Sequence, residues 1–173
     1  MSKILYFGLF VILSIGTEMA LANEDDLIPV PKSGAYVVAD GDENSGRKYG
    51  EALGIPQDTT DKMIQTIQGK SFGVRFETPD RNHWNVTFYQ GGKPHTILAE
   101  KDKEVAGLSV LGIPVKNHLT VEAKRLILKQ TYDNGKVAEI IWTFKKDHLT
   151  ITVLTGESNK SVLLFNKDDN FGL

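Results

Sequence analysis

Alternation of apolar and polar residues runs through most of this chain and limits its fold more than any other feature. Side chains at every second position share one face of a β-strand, so each alternating run predicts a strand with one buried face. Six runs are clear: Val74-x-Phe76, Trp84-x-Val86-x-Phe88, Leu119-x-Val121, Leu126-x-Leu128, Ile140-x-Trp142-x-Phe144 and Leu149-x-Ile151-x-Val153. The pattern therefore predicts an all-β domain.

Turn sequences separate these runs and set the connections between strands. They lie at residues 78–80, 91–94, 133–135, 146–147 and 156–158. The strongest is Asp133-Asn134-Gly135, because Asn-Gly supplies the positive φ angles of a tight hairpin. Counting the runs between turns gives about ten strands, most of them antiparallel neighbours. Such a meander closes its open edges by forming a barrel.

One segment departs from the alternation and predicts two short helices, over residues 44–53 and 58–68, after a first strand at 35–40. The apolar residues of the second helix fall on one stripe at helical spacing: Met63, Ile64 and Ile67. Three residues are candidates to cap its first turn: Asp58, Thr59 and Thr60. Gly69 is expected to end it.

The N-terminus has the order of a secretory signal peptide. Lys3 precedes an apolar run at 4–15, and Ala20-Leu21-Ala22 forms a small-x-small cleavage site. The run is shorter than the roughly 20 apolar residues that span a bilayer. We therefore expect cleavage after residue 22, a secreted, extracellular protein and no stable membrane insertion. An uncleaved membrane anchor is the competing interpretation.

The remaining chain predicts one domain with two irregular ends. Residues 23–32 are acidic, carry two prolines and indicate an extended leader. Residues 33–167 form the predicted barrel domain, and residues 168–173 are a polar tail that we expect to fray. Two glycosylation sequons occur, at Asn85 and Asn159.

Composition excludes several functions. The 20 basic and 22 acidic residues are interspersed, so no basic surface for nucleic acid or anionic membranes is predicted. The chain has no cysteine, which excludes disulfides, thiol catalysis and zinc–thiolate sites. The four histidines are scattered and are interpreted as exposed residues near strand ends rather than metal ligands: His83, His95, His118 and His148. No Gly-x-Ser-x-Gly elbow or other catalytic constellation is present, so we expect neither an enzyme nor a cofactor.

Three segments resemble the intracellular fatty-acid-binding protein family, the β-clam branch of the calycin (lipocalin-like) superfamily. They are Gly34-Ala35-Tyr36, Tyr49-Gly50-Glu51-Ala52-Leu53-Gly54-Ile55-Pro56 and Leu128-Lys129-Gln130-Thr131-Tyr132-Asp133-Asn134-Gly135-Lys136. The resemblance covers residues 34–167. It implies a ten-stranded antiparallel β-clam under a two-helix lid, and a monomeric carrier of a lipid such as a fatty acid or retinoid.

The chain departs from this family at the positions where family members bind the carboxylate group of the ligand. Family members that bind fatty acids usually end in an Arg-x-Tyr pair, and aligned on the last strand those positions fall on Leu163 and Phe165. A second internal arginine has Trp142 as its counterpart. A buried guanidinium serves to pair a buried carboxylate. The resemblance therefore implies a ligand that is neutral, or an acid that is anchored differently.

Two hypotheses follow. The first is a non-enzymatic secreted carrier whose cavity is lined by Ile140, Trp142, Phe144, Leu163 and Phe165, with Met63 and Ile67 at a portal under the helices. The second is a secreted interaction module of the same fold with a filled interior and no ligand. Cavity volume distinguishes the two.

Three basic residues are considered as possible partners of a ligand carboxylate. Arg75 lies between Val74 and Phe76 and is interpreted as an exposed residue paired with Glu77 or a neighbour, with a relocated anion anchor inside the barrel as the alternative. Lys124 and Arg125 precede a predicted strand and are interpreted as rim residues.

Overall fold

A computed structural model describes residues 26–41, 43–69, 72–91, 93–109, 111–156 and 159–171. The predicted signal peptide at 1–22 lies outside the described residues. Two helices follow the first strand, β1 (Ser33–Gly41): α1 (Glu43–Leu53) and α2 (Gln57–Gln68). Nine more strands follow: β2 (Phe72–Glu77), β3 (His83–Gln90), β4 (Lys93–Glu100), β5 (Glu104–Leu108), β6 (Pro114–Val121), β7 (Arg125–Tyr132), β8 (Val137–Phe144), β9 (His148–Thr155) and β10 (Asn159–Lys167).

All ten strands belong to one antiparallel sheet in the order β4-β3-β2-β1-β10-β9-β8-β7-β6-β5. The two outermost strands, β4 and β5, pack beside each other without forming a ladder among the described residues. The sheet is thus a nearly closed barrel. This confirms the predicted ten-stranded β-clam with two helices after the first strand.

Alternation along the strands separates the barrel interior from its outer surface. In β8, every second residue from Ala138 to Phe144 is buried, and the residues between them are half-buried. The buried residues meet in one set, here called the interior cluster: Tyr36, Val38, Phe72, Val74, Phe76, Trp84, Val86, Phe88, Ile97, Ala99, Leu119, Leu126, Leu128, Ile140, Trp142, Phe144, Leu149, Ile151 and Phe165. Burial of these side chains contributes about 1.5–3 kcal/mol each and supplies the main driving force for the fold.

The second helix begins earlier than predicted, and the capping prediction is wrong. Pro56 occupies the N-cap position with φ −54°, and no side chain caps the helix. The amides of Thr59 and Thr60 both donate to the carbonyl of Pro56, at 3.1 Å each. Proline lacks an N–H and its φ is fixed, so it starts the helix without a polar cap. Gly69 ends the helix as predicted, and its N–H donates to the Gln65 carbonyl at 2.9 Å.

Both helices pack on the end of the barrel that carries the β7–β8 turn. Their contacts form a second set, here called the lid cluster: Tyr49, Leu53, Ile55, Met63, Val115, Tyr132 and Ala138. The β7–β8 turn has Gly135 at φ 78°, which favours glycine. Asn134 Nδ2 in this turn donates to the carbonyl of Leu53 at 3.1 Å, and so ties the end of α1 to the barrel.

Residues 26–32, which precede β1, cross the opposite end of the barrel. The amide of Ile28 donates to the Phe144 carbonyl at 2.9 Å, and that of Val30 donates to the Ala123 carbonyl at 3.2 Å. Both side chains are half-buried and pack against the interior cluster. Phe144 ends β8, and Ala123 lies in the β6–β7 turn, so the segment covers the end away from the helices.

Residues 168–171, which follow β10, lie against the outer surface. The start of this segment is fixed by a 2.9 Å bond from the Asp168 amide to the carbonyl of Ala35. The ring of Phe171 packs edge-on against Tyr89, with centroids 5.4 Å apart. It also covers Gly73, where a Cβ would lie 1.9 Å from a ring carbon of Phe171. Only a residue without a side chain permits this contact.

Candidate functional site

Five of the seven predicted ligand-binding residues lie on the barrel interior. Ile140, Trp142 and Phe144 on β8 are at most 3 % exposed, and Phe165 on β10 is fully buried. Leu163 on β10 is half-buried and packs against the interior cluster. Whether any of them binds a ligand stays a prediction.

The strand register brings these residues into two rows across β8, β9 and β10. One row is Trp142, Ile151 and Leu163, and the other is Phe144, Leu149 and Phe165. Trp142 and Leu163 therefore flank the same residue of β9. In the alignment predicted from the sequence, both are counterparts of the family's internal arginines, and here the row is uncharged.

The two remaining predicted residues lie on α2, at different depths. Met63 is buried in the lid cluster. Ile67, one helical turn further on, packs against both the lid cluster and the interior cluster. Ile67 is therefore the point at which the second helix meets the barrel interior.

Among the side chains that the structure describes, which exclude those of residues 40–45, no lysine, arginine, aspartate or glutamate is buried. Arg75 points outward and pairs with Glu77, with 3.3 Å between Nε and Oε1, as predicted. Both line an outer-surface cavity of about 270 Å³ with three residues of β3: Asn85, Thr87 and Tyr89. Arg125 is exposed and pairs with Glu122 at 3.0 Å, and Lys124 beside it is also exposed. The described interior thus offers no fixed cation to a carboxylate.

Within the described part of the chain, four buried polar atoms have no hydrogen-bond partner: Trp84 Nε1, His95 Nε2, Gln130 Oε1 and Trp142 Nε1. The register places all four side chains on the inward-facing positions of their strands. Buried polar atoms in folded proteins are nearly always paired with protein or water. Four unpaired atoms in one compartment therefore mark the interior as a place for a polar partner.

The prediction that the histidines are exposed is confirmed for His83 and His148 but is wrong for His95 and His118, which are half-buried. His95 also faces the barrel interior. It lies opposite Phe88 in the β3–β4 ladder, and its Nε2 atom is buried. Strand β4 begins at Lys93, so His95 falls on the same face as Ile97 and Ala99. The alternation His95-x-Ile97-x-Ala99 is visible in the sequence, and it predicts that the His95 side chain points inward.

A buried amide pair lies near the helix end of the barrel and was also missed. Gln130 Nε2 donates to Asn117 Oδ1 at 2.8 Å, and both side chains are at most 1 % exposed. Asn117 Nδ2 lies 3.4 Å from the Leu108 carbonyl and donates to it. Gln130 continues the alternation of Leu126 and Leu128, so its inward direction could have been read from the sequence.

Buried tyrosines connect the lid to the barrel. The hydroxyls of Tyr49 on α1 and Tyr132 on β7 lie 3.3 Å apart. Burial, then the nearby Tyr132, raises the pKa of Tyr49 well above its usual value, and burial also raises the pKa of Tyr132. In the interior, burial and then the carboxylate of Asp169 raise the pKa of Tyr36 to about 12. All three hydroxyls thus remain neutral at ordinary pH.

The two sequons lie on strands. Asn85 is half-buried on the outward face of β3, and Asn159 is the first residue of β10 and is half-buried. Within the described ranges, no three His, Asp or Glu side chains are grouped to hold a metal ion. No helix of the described part is long and apolar enough to cross a membrane.

No protein-family model and no curated protein sequence matches the chain. Solved structures do match it. Fatty-acid-binding protein 1 of Echinococcus granulosus has a TM-score of 0.62 at 18 % identity, over 78 % of this chain and 95 % of that one. A fatty-acid-binding protein from Drosophila melanogaster brain has a TM-score of 0.59 at 21 % identity, covering 76 % and 95 %.

A Schistosoma mansoni fatty-acid-binding protein, solved with arachidonic acid, has a TM-score of 0.63 at 14 % identity, over 78 % of this chain and 94 % of that one. At such identities the likeness concerns backbone architecture alone, because ligand choice depends on a few side chains. The sheet order, the helix pair after β1 and these matches together establish that the chain has the β-clam fold of the fatty-acid-binding proteins.

Proposed function

We propose that the protein is a non-enzymatic carrier that holds a hydrophobic small molecule inside the barrel. The observation that carries this proposal is an interior that, among the described residues, is aromatic and uncharged and contains four polar atoms without a protein partner. A buried polar atom left unpaired costs about 1–3 kcal/mol, so each of these atoms needs a partner, either buried water or a bound molecule. A bound molecule supplies both the missing partners and the reason to retain them.

Apolar burial suffices for useful affinity without an ion pair. A lipid tail that loses roughly 400 Å² of surface gains about 10 kcal/mol at about 25 cal/mol per Å². The costs of association reduce this gain toward micromolar binding, which corresponds to about 8 kcal/mol. With no buried cation among the described residues, a carboxylate gains little from entering, so a neutral lipid is favoured over a fatty acid.

The same proposal places the carrier outside the cell. It rests on Lys3, the apolar run at 4–15 and Ala20-Leu21-Ala22. N-terminal sequencing of protein recovered from the medium of expressing cells should give a chain that starts at Asn23, or within a residue or two of it. Recovery only of cell-associated protein that retains Met1 would contradict secretion.

A filled interaction module is the second candidate, and ring contacts favour it. Centroids of neighbouring interior rings lie 5.2 Å apart for Phe76 and Phe144, and 5.9 Å apart for Phe72 and Phe165. These are distances of packed aromatic cores. In that case the protein purified from its natural source would carry no small molecule in native mass spectrometry, whereas a carrier would release one on lipid extraction.

A titration tests the ligand chemistry. Both tryptophans of the chain, Trp84 and Trp142, lie in the interior cluster, so intrinsic fluorescence reports on its occupant. We expect a long-chain fatty acid and its methyl ester to bind the wild type with affinities that differ less than tenfold. A wild-type preference for the acid above tenfold, about 1.4 kcal/mol, would reveal an anion site and contradict this proposal.

A variant that carries the family's Arg-x-Tyr pair makes the comparison of acid and ester more specific. Leu163→Arg with Phe165→Tyr should favour the acid by about 1.5–3 kcal/mol, because a charge-assisted hydrogen bond forms inside the barrel. The same change should lower the melting temperature of the empty protein, since it buries an unpaired guanidinium. Leu164→Arg is the matched control: Leu164 is 40 % exposed on the outer surface, so the charge stays in water. Leu164→Arg should change neither the preference for the acid over the ester nor the melting temperature appreciably.

A further inference from the structure

The two glycosylation sequons of the chain lie on strands and face different sides of the barrel wall. Asn85-Val86-Thr87 is part of β3, and Asn159-Lys160-Ser161 begins β10. Successive side chains of a strand point to opposite faces, so the register assigns each asparagine to one side. An N-linked oligosaccharide is bulky and hydrated, and a folded protein accommodates it only on its outer surface. The register therefore decides which sequon the folded chain can carry in glycosylated form.

Asn85 points to the outer surface. Its neighbours on β3, Trp84 and Val86, are buried in the interior cluster, whereas Asn85 itself is half-buried. Across the two ladders of β3, Asn85 lies between Glu77 of β2 and Leu98 of β4. The side chain of Glu77 is 55 % exposed, and Leu98 is 62 % exposed. The positions on both sides of Asn85 are thus open to solvent.

A cavity beside Asn85 gives an attached sugar a place to lie. Asn85 lines the outer-surface cavity of about 270 Å³ together with Arg75, Glu77, Thr87 and Tyr89. The Arg75 guanidinium donates hydrogen bonds and the Glu77 carboxylate accepts them, and sugar hydroxyl groups do both. The ring of Tyr89 offers apolar surface to the C–H groups of a sugar ring. Hydrogen-bonding groups and an aromatic ring around one attachment point suit a carbohydrate.

Asn159 faces inward at the end of the barrel that the helices cover. It lies opposite Thr155 of β9, and Thr155 lies opposite Ala138 of β8. Thr155 is 2 % exposed, and Ala138 is fully buried in the lid cluster. Helix α1 packs on both β9 and β10. An oligosaccharide at Asn159 would need the space that the lid occupies, so a chain modified there would not reach this fold.

We infer that the secreted protein carries an N-linked oligosaccharide at Asn85 and none at Asn159. In this modification, Asn85 Nδ2 forms a bond to C1 of the first N-acetylglucosamine of an oligosaccharide carried by a lipid diphosphate. The bond between C1 and the diphosphate oxygen breaks, its electron pair leaves with the lipid diphosphate, and one amide proton is released.

The transfer precedes folding. In the folded barrel β3 is paired on both sides, and the hydroxyls of Thr87 and Thr96 lie 2.9 Å apart and bond to each other. The sequon is therefore accessible to a transferase only while the chain enters the secretory pathway. This inference rests on the secretion that is part of the proposed function, and it is independent of what the interior binds.

Expression of the full-length chain in a eukaryotic cell line tests the inference. The secreted protein should migrate more slowly in electrophoresis than the same protein treated with peptide-N-glycosidase, which removes the oligosaccharide and converts the modified asparagine to aspartate. Peptide mass spectrometry should locate this conversion at Asn85 and find Asn159 unconverted. Mobility is measured in both medium and cell lysate, so that a variant retained in the cell is also scored.

Variants assign the modified residue. Asn85→Gln and Thr87→Ala should each abolish the mobility shift, because each destroys the β3 sequon. Thr87→Ser preserves that sequon and should retain the shift, which separates loss of the sequon from loss of the threonine. Asn159→Gln is the matched control, because it destroys the other sequon and should leave the shift unchanged. A shift that survives Asn85→Gln, or that Asn159→Gln removes, would overturn the assignment.

N-terminal sequencing of the same samples distinguishes failure of this inference from failure of secretion. If the chain remains in the cell with Met1 and without an oligosaccharide, the secretion proposal fails and this inference fails with it. If the chain is secreted but is unmodified at Asn85, or is modified at Asn159, secretion stands and this inference is overturned.

Discussion

The two apolar compartments of this protein treat their polar atoms differently. Under the lid, the hydroxyls of Tyr49 and Tyr132 pair with each other, and Asn134 donates to the last carbonyl of α1. In the barrel interior, an indole or imidazole nitrogen of each of three residues has no partner among the residues that the structure describes: Trp84, His95 and Trp142. The buried polar atoms of the lid interface are therefore paired, as in a core that serves stability. Those of the interior lack protein partners, as in a ligand-binding site.

This difference assigns stability to the lid interface and ligand binding to the barrel interior of the same small domain. A paired buried group contributes about 1 kcal/mol, while an unpaired one costs about 1–3 kcal/mol. Ile67, which touches both compartments, marks the boundary between them. Substitutions in the lid cluster should thus act on unfolding, and substitutions at the interior nitrogens should act on ligand choice. The predictions below test that division.

The largest effect is expected at Phe165. Phe165→Ala removes a fully buried ring that packs 5.9 Å from Phe72, and should lower the free energy of unfolding by about 3–5 kcal/mol. Leu164→Ala, one residue earlier on the outward face, should cost less than about 1 kcal/mol. Urea unfolding of both variants measures the contrast.

A small effect of Phe165→Ala would change the interpretation of the interior. If the cost stays below about 1 kcal/mol, the ring is not part of a tightly packed core. The interior would then adapt around an occupant, and the filled-module hypothesis would be contradicted.

The tyrosine pair should give the next largest effect. Tyr132→Phe leaves the buried Tyr49 hydroxyl without its partner and should cost about 1–3 kcal/mol. Tyr49→Phe added to Tyr132→Phe should recover part of that loss, because the Tyr49 hydroxyl is then no longer left unpaired. The buried Ser109 hydroxyl, which also bonds Tyr132, is affected equally in both variants. Denaturant unfolding of the two single variants and the double variant tests this; a double variant less stable than Tyr132→Phe alone would contradict it.

Alkaline pH tests the same pair independently. The folded protein holds the pKa of Tyr49 and Tyr132 above the ordinary value of 10.0. Above pH 10 the unfolded chain therefore binds fewer protons than the folded one, so stability is intact below pH 10 and falls as pH rises beyond it. The double variant should lose stability less steeply. Its residual slope should come from Tyr36, whose pKa is about 12.

The fold could be predicted from the sequence because its main signals are local. The alternating runs, the Asp133-Asn134-Gly135 turn and the stripe at Met63, Ile64 and Ile67 each depend on neighbours along the chain. All of these patterns correspond to elements of the structure. The predicted helix cap failed because Pro56 starts the helix one residue earlier, through its fixed φ rather than through a side-chain bond.

The polar part of the candidate site could be predicted only in part. The direction of His95 and Gln130 follows from alternation, yet histidine and glutamine at strand positions are usually exposed. That Nε2 of His95 has no partner depends on atoms from other strands. The closeness of Trp142 to Phe88 likewise depends on how the barrel curls, which no local pattern records.

The smallest effect is expected from the ion pair that joins the two helices of the lid. Arg47 Nη1 and Asp61 Oδ1 lie 2.6 Å apart, and the two side chains are 41 % and 36 % exposed. At such exposure water and salt screen the pair, so a double-mutant cycle with Arg47→Ala and Asp61→Ala should give a coupling of about 0.2–1 kcal/mol. The coupling should shrink in about 1 M salt, because the Debye length falls to about 3 Å. A coupling above about 2 kcal/mol that survives salt would place this pair among the bonds that hold the lid, beside the tyrosine pair.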